Sequence, residues 1–163
     1  MSDVSNWDPV AVSEIIDSLR DVAGALLPIL HAIQDSQGYI PEDSVAMIAS
    51  ALHQTSAEIH GVISFYHHFR TAKPGNHIVQ ICRAEACQAR GARVLEHHAK
   101  TSLKLDYHGT TADQEFTLEP VYCLGNCTNG PNVQIDDEII ARVSPEKFDQ
   151  LLDQKTTYIV ELK

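Results

Sequence analysis

The stretch VYCLGNCTNGPNVQI, Val121–Ile135, places two cysteines four positions apart in a loop of Gly, Asn and Pro. The β-branched, apolar run NVQI follows directly, and Phe116 to Tyr122 reads as a strand leading in. Gly, Asn and Pro are turn formers, so the two thiols belong to a connection between strands. Thiols at that spacing can be half of a redox couple, half of a metal site, or accidental neighbours. The remaining cysteines decide which.

They lie in ICRAEACQARG: Cys82 ends a predicted strand, HIVQIC, and Cys87 comes five residues later. The pattern is Cys82-x4-Cys87, thirty-five residues, then Cys123-x3-Cys127. Each pair starts at the C-terminal end of a predicted strand. If those strands are neighbours in one sheet, both loops leave the same edge and four sulfurs can converge. Open α/β sheets usually place their ligands at that edge. A [2Fe–2S] cluster takes four thiolates, two on each iron, and spreads them more widely than one ion does. Structural zinc favours tighter knuckles, although separations of two to four residues occur, so zinc stays open on spacing alone. Neither pair is Cys-x-x-Cys, which a thioredoxin-type redox site requires. Buried thiols with no cofactor are common singly, but two close pairs after strands argue against that reading. The cluster is favoured. Gly125, Gly130, Asn126, Thr128 and Asn129 allow backbone amides to turn toward sulfur, and Arg83 and Arg90 either offset the site's negative charge or lie solvated at the surface.

Twelve Lys and Arg stand against 22 Asp and Glu, a formal charge of −10. That balance disfavours nucleic acid, whose phosphates need clustered cations, and anionic membrane surfaces for the same reason. No apolar run approaches the ~20 residues of a spanning helix. The N-terminus MSDVSNWDPV lacks a signal peptide's basic and apolar segments, so the expected compartment is cytoplasmic. Thiols are kept reduced there, which favours ligands over disulfides.

The first half reads as helices. Asp8-Pro9 is an N-cap with proline at the first helical position, followed by VAVSEIIDSLRDV with Ile15, Ile16 and Leu19 on one stripe. ALLPILHAIQDSQ follows, with Pro28 required in its first turn and Gly38 just past its end. PEDSVAMIASALHQ is the third helix, and Thr55-Ser56-Ala57-Glu58 is a capping box opening the fourth. The turn cluster Lys73-Pro74-Gly75-Asn76 marks a seam. Beyond it are predicted the strand HIVQIC, a helix from about Cys87 to Ser102 with Ala92, Leu95 and Ala99 inward, and the strand Phe116–Tyr122. A hairpin of NVQI and EIIARV follows, then a helix capped by Ser144-Pro145. The order implies an α/β (α+β) chain: a helical bundle over 1–74 and a small mixed sheet with helices against it over 75–163. The tail TTYIVELK is either an edge strand or loose.

CRAEAC, CLGNCTNGP and the upstream GVISFYHHFR together resemble the thioredoxin-like [2Fe–2S] subunit of NADH:quinone oxidoreductase and its relatives. Those relatives include the gamma subunit of NAD-dependent formate dehydrogenase and the diaphorase part of NAD-reducing hydrogenases. The resemblance runs from about Leu26 to Leu152. It implies a thioredoxin-like domain carrying one [2Fe–2S] cluster, with Cys82 and Cys87 on one iron and Cys123 and Cys127 on the other. It further implies an FMN- and NAD(H)-binding larger partner subunit among further subunits of a complex, and no catalytic residue on this chain. No Gly-x-Gly-x-x-Gly occurs, in keeping with nucleotide chemistry on the partner. Arg-Ala-Glu-Ala between the first cysteines, followed by Gln88, and the ALLPILHAIQDSQGYIP stretch look most like formate dehydrogenase gamma subunits; Leu-Gly-Asn-Cys-Thr-Asn-Gly-Pro is closer to the quinone-reductase type. The expectation is the formate dehydrogenase branch. A zinc-stabilised interaction module and a free-standing ferredoxin are the rival readings.

Nine histidines invite a metal reading. The adjacent pairs His67-His68 and His97-His98 diverge on a helix, and His53, His60 and His67 are interrupted by a turn, so no histidine site is expected. Phe65, Tyr66 and Phe69 are expected to pack helices onto the sheet.

Overall fold

The computed structural model describes residues 7–156. The expectation for the C-terminal tail falls outside the described residues. The chain divides into two compact units between Lys73 and Pro74.

Four helices build the first unit: α1 (Pro9–Leu19), α2 (Leu26–Gln37), α3 (Glu42–Leu52) and α4 (Ser56–Phe65). The Asp8 carboxylate accepts from the N–H groups of Val10 and Ala11, satisfying two of the donors that every helix start leaves open. Pro28 is the third residue of α2, inside its first turn. Thr55 and Glu58 form the reciprocal capping box of α4. Val12, Ile16, Ile29, Leu30, Ile33, Ile48 and Ile59 are buried together as the core of the unit. Two polar side chains, Gln34 and Ser44, are buried in the same unit. Gln34 donates to the carbonyl of His68 at 2.9 Å and accepts from the N–H of Arg70 at 2.9 Å, pinning the turn segment after α4 onto α2.

That segment overturns the packing expected of the aromatics. Phe69 folds under into the helical core at 8% exposure, whereas Phe65 and Tyr66 are 73% and 43% exposed. The helix ends at Phe65 and Tyr66 is extended, with φ −92° and ψ 108°, so these two rings leave the helix on its outer side.

The second unit holds β1 (His77–Cys82), α5 (Glu85–Gln88), α6 (Ala92–Leu103), β2 (Gly109–Thr110), β3 (Phe116–Val121), β4 (Val133–Ile135), β5 (Glu138–Ile140) and α7 (Pro145–Lys155). The sheet order is β2-β3-β1-β4-β5, with β1 and β3 parallel and every other pairing antiparallel. Val79, Ile81, Leu118, Val133 and Ile135 from the sheet pack with Leu95 and Ala99 of α6 and Phe148 of α7. Among the described residues no helix is long and apolar enough to cross a membrane.

Three local expectations need correction. The helix expected from Cys87 to Ser102 is two pieces, because the chain turns left-handed at Gly91 (φ 97°) between α5 and α6. The second hairpin strand stops at Ile140, before Arg142, which is itself left-handed at φ 53°. The two-residue strand β2 has no counterpart among the predicted elements.

Candidate metal centre

Parallel pairing of β1 and β3 sets the site. Cys82 is the register partner of Val121, so the chains leaving the two strands start side by side at one edge. The backbone confirms that closeness: Arg83 N–H donates to the Val121 carbonyl at 2.7 Å, and Cys82 N–H to the Asn132 carbonyl at 3.1 Å. Cys87 follows within α5, and Cys127 opens a single 3₁₀ turn, Cys127–Asn129.

The four thiols form two unlike pairs. Cys82 and Cys87 are buried, at 1% and 0% exposure, in a small cluster with Ala92 against Val121 and Leu124. Cys123 is exposed and Cys127 half-buried, with their sulfurs 3.6 Å apart. Burial pushes the Cys82 thiol up, opposed by the N–H groups of Ala84 and Leu124 that face its sulfur. Leu124 belongs to the other pair's loop, so that loop already reaches the first pair. The Cys123 thiol is held below its usual range, first by the Gly125 N–H, 3.3 Å from its sulfur, and then by Cys127. Cys127 is pushed up by the same partnership, so the two thiols titrate as a pair.

Two glycines make the loop possible for different reasons. Gly125 turns its N–H onto Cys123 with φ +76°, a conformation costly for any residue with a Cβ. Gly130 has an ordinary φ, but a Cβ there would lie 3.2 Å from Cys87 Sγ and 3.3 Å from Arg90 Cδ. Its role is closeness between the two loops, not amide donation as expected. Asn126 and Asn129 act through side chains (their amides bond to one another at 2.9 Å), and no donor role emerges for Thr128. Asn132, read from the sequence only as the start of a strand, is 1% exposed and donates its side-chain amide to Cys87 Sγ at 3.4 Å.

Arg83 is part-exposed, and its side chain meets a carboxylate and two aromatic rings, not the thiols. Its Nε meets Glu96 at 3.2 Å, and its guanidinium lies 5.3 Å from the Tyr107 ring centre and 6.0 Å from that of Tyr122. Glu96 also holds Lys100 at 3.1 Å, so Arg83 ties the residue after Cys82 to α6. Histidines meet carboxylates singly: His77 with Asp136 at 2.8 Å, His98 with Asp149 at 2.8 Å, His108 with Glu119 at 2.6 Å and His60 with Glu42 at 3.3 Å. Among the described residues no three His, Cys, Asp or Glu side chains gather as a single metal ion requires. The thiols instead come as two couples, with the Leu124 N–H of the second loop at Cys82 and Gly130 set against Cys87, an arrangement suited to a centre with two metals.

Residues 12–156 match the thioredoxin-like [2Fe–2S] ferredoxin family. The chain belongs to that family. It is 29% identical over 144 residues to a subunit of the NADH-quinone oxidoreductase of Escherichia coli (strain K12), covering 88% of this chain and 87% of the relative. It is 30% identical over 141 residues to the HndA subunit of the NADP-reducing hydrogenase of Solidesulfovibrio fructosivorans, covering 86% and 82% respectively. The fold matches a chain of an NAD+-reducing [NiFe]-hydrogenase crystallised in the H2-reduced state, with a TM-score of 0.65 and 21% identity. That match takes in 77% of this chain and about a fifth, 22%, of the hydrogenase chain, and it concerns the fold alone. The residues present fit the group for which the family is named: four thiols in two couples, one thiol held below its usual range, with N–H donors turned to sulfur and a close approach at Gly130.

Proposed function

We propose that this chain carries one [2Fe–2S] cluster on Cys82, Cys87, Cys123 and Cys127 and serves as an electron-transfer subunit of an NAD(P)-linked, FMN-containing oxidoreductase. The observation that carries this reading is the parallel register of Cys82 with Val121, which starts both thiol loops from one sheet edge. When bound, the cluster supplies one-electron storage beside two-electron nucleotide chemistry. The chain's own residues do the rest. Cys82 and Cys87 are shielded from water in the unit's interior. Cys123 and Cys127 form the open face, with exposed Tyr122 at its border, where a partner's redox group can approach. The chain has no substrate site of its own in this reading, and a larger flavin subunit binds NAD(H). The helical domain, 1–74, is the docking part and the thioredoxin-like domain, 75–163, the redox part, of a cytoplasmic complex.

The two relatives named above support an NADH-quinone oxidoreductase or NAD(P)-reducing hydrogenase parent over formate dehydrogenase. A formate dehydrogenase gamma role keeps two features in its favour, Arg83-Ala84-Glu85-Ala86 followed by Cys87-Gln88 and the ALLPILHAIQDSQGYIP stretch. Anaerobic purification tests the first level. Equal iron and acid-labile sulfide, with an electron paramagnetic resonance signal after dithionite, are expected; colourless protein holding zinc overturns the assignment. Isolation with its native partners tests the second, by asking whether formate, hydrogen or NADH bleaches the visible absorption.

A further inference from the structure

A polar chain with one fixed direction runs through the second thiol loop. Arg142 Nη2 donates to Asn129 Oδ1 at 3.1 Å. Asn129 Nδ2 donates to Asn126 Oδ1 at 2.9 Å, and Asn126 Nδ2 to Asn132 Oδ1 at 3.2 Å. Asn132 Nδ2 then donates to the Asn126 carbonyl at 2.7 Å and to Cys87 Sγ at 3.4 Å. A guanidinium has donors and no acceptor, so the first link can run only one way. Each amide whose oxygen is occupied must offer its nitrogen to the next. The orientations of Asn129 and Asn126 therefore follow from Arg142, Asn132 is held the same way by the Asn126 amide and by the acceptor-only Asn126 carbonyl, and the series ends with N–H facing sulfur. Asn132 is buried, so its amide has no solvent to turn toward. Arg142 is itself fixed at the outer end, its backbone N–H donating to the Asn129 carbonyl at 2.9 Å.

We infer that Asn132 is a positioning residue for the Cys87 thiolate, oriented from the surface by Arg142 through Asn129 and Asn126, and that this relay raises the reduction potential of the centre. The inference rests on the ligand role proposed for Cys87. Adding an electron to an anionic four-thiolate site increases its negative charge. An N–H aimed at a ligand sulfur therefore stabilises the reduced form more than the oxidised one. Because Asn126 lies between Cys123 and Cys127, the same amides also fix the second couple relative to the first.

The test is a redox titration followed by electron paramagnetic resonance on the full chain. Asn132→Leu removes the donor without adding charge. It should keep iron and sulfide yet lower the one-electron equilibrium constant roughly tenfold, about 59 mV. Arg142→Gln supplies a group that can donate or accept, so orientation is no longer imposed; a smaller shift of the same sign is expected, and Arg142→Lys should restore most of it. The decisive result is the double variant. If Arg142 acts through the relay, Arg142→Gln adds nothing once Asn132 is Leu; a charge effect through space would add in full and overturn the relay. Should Asn132→Leu fail to hold iron, Asn129→Leu takes its place in the same cycle. Loaded wild type with unshifted variants overturns the relay alone, whereas wild type without iron and sulfide overturns the ligand assignment with it.

Discussion

A Cβ at Gly130 would press on Cys87 Sγ and Arg90 Cδ, at 3.2 and 3.3 Å, while one at Gly125 would meet nothing within 4 Å. The two glycines should therefore fail differently when replaced. Gly130→Ala overpacks the gap between the thiol couples, at a cost of roughly 1–3 kcal/mol, and should speed iron loss to a chelator. Gly125→Ala incurs backbone strain of about 1–2 kcal/mol at φ +76° and should weaken retention through the misdirected N–H on Cys123. A Gly125→Asn variant, tolerant of that φ, should recover much of the loss, and Gly130→Asn should recover none; chelator-challenge rates check both. At the ligands, Cys87→Ser should lower bound iron far more than Arg90→Ala, since one removes a thiolate and the other only a cation. Equal iron in the two variants contradicts the assignment. Residue identity made the cysteines legible, because each pair followed a recognisable strand. Asn132 was hidden for a physical reason: it sits at the head of an apolar run, and only tertiary burial distinguishes an amide facing sulfur from one facing water. Arg83 was ambiguous for the same cause, its partners Glu96, Tyr107 and Tyr122 being distant in sequence.

Between residues and molecule stand the caps and breaks, and these divide by how local their causes are. Asp8-Pro9, Thr55 with Glu58, and Ser144-Pro145 start helices as their sequences require, since each cap bonds within three residues. Thr55→Ala should cost about 1 kcal/mol of helical-unit stability by freeing the Glu58 N–H, measurable in urea. The break at Gly91 was signalled by glycine inside a helical pattern, yet apolar spacing at Ala92, Leu95 and Ala99 carried through it and masked it. Strand β2 escaped because two residues give no periodicity; it exists through pairing of Gly109 and Thr110 with Leu118 and Thr117. Gln34 is the opposite case, a polar residue in an apolar stripe whose partners lie 34 and 36 residues away. Gln34→Leu would leave the His68 carbonyl and Arg70 N–H without that amide. A loss of about 1–2 kcal/mol is expected from two part-buried groups, against well under 1 kcal/mol for an exposed change such as Gln54→Leu.

Across the whole chain, charge and partition into two units give the stability a pH dependence that can be read one unit at a time. Partial desolvation holds His68, an exposed residue, below its ordinary 6.5, helped by the nearby charges of His31 and Arg70 and opposed by Asp35. The unfolded chain takes up that proton first as pH falls, so stability is full above about 6.5 and is lost on acidification through the lowered folded value. Glu58 lies below its ordinary 4.5 because the Thr55 backbone N–H and hydroxyl donate to it. Its contribution is present above that value and fades only in stronger acid. The helical unit should therefore weaken in two steps, histidine first and carboxylate second. Trp7, the only tryptophan, packs against the helical core, so its fluorescence reports this unit without interference from titrating thiols in the other. In His68→Gln the backbone carbonyl that Gln34 engages remains, while the imidazole is gone. Thermal midpoints followed at Trp7 should fall in wild type as pH drops from about 7 to 5 and stay nearly level in the variant until the carboxylate range. Superimposable curves would mean that His68 carries no part of the acid sensitivity.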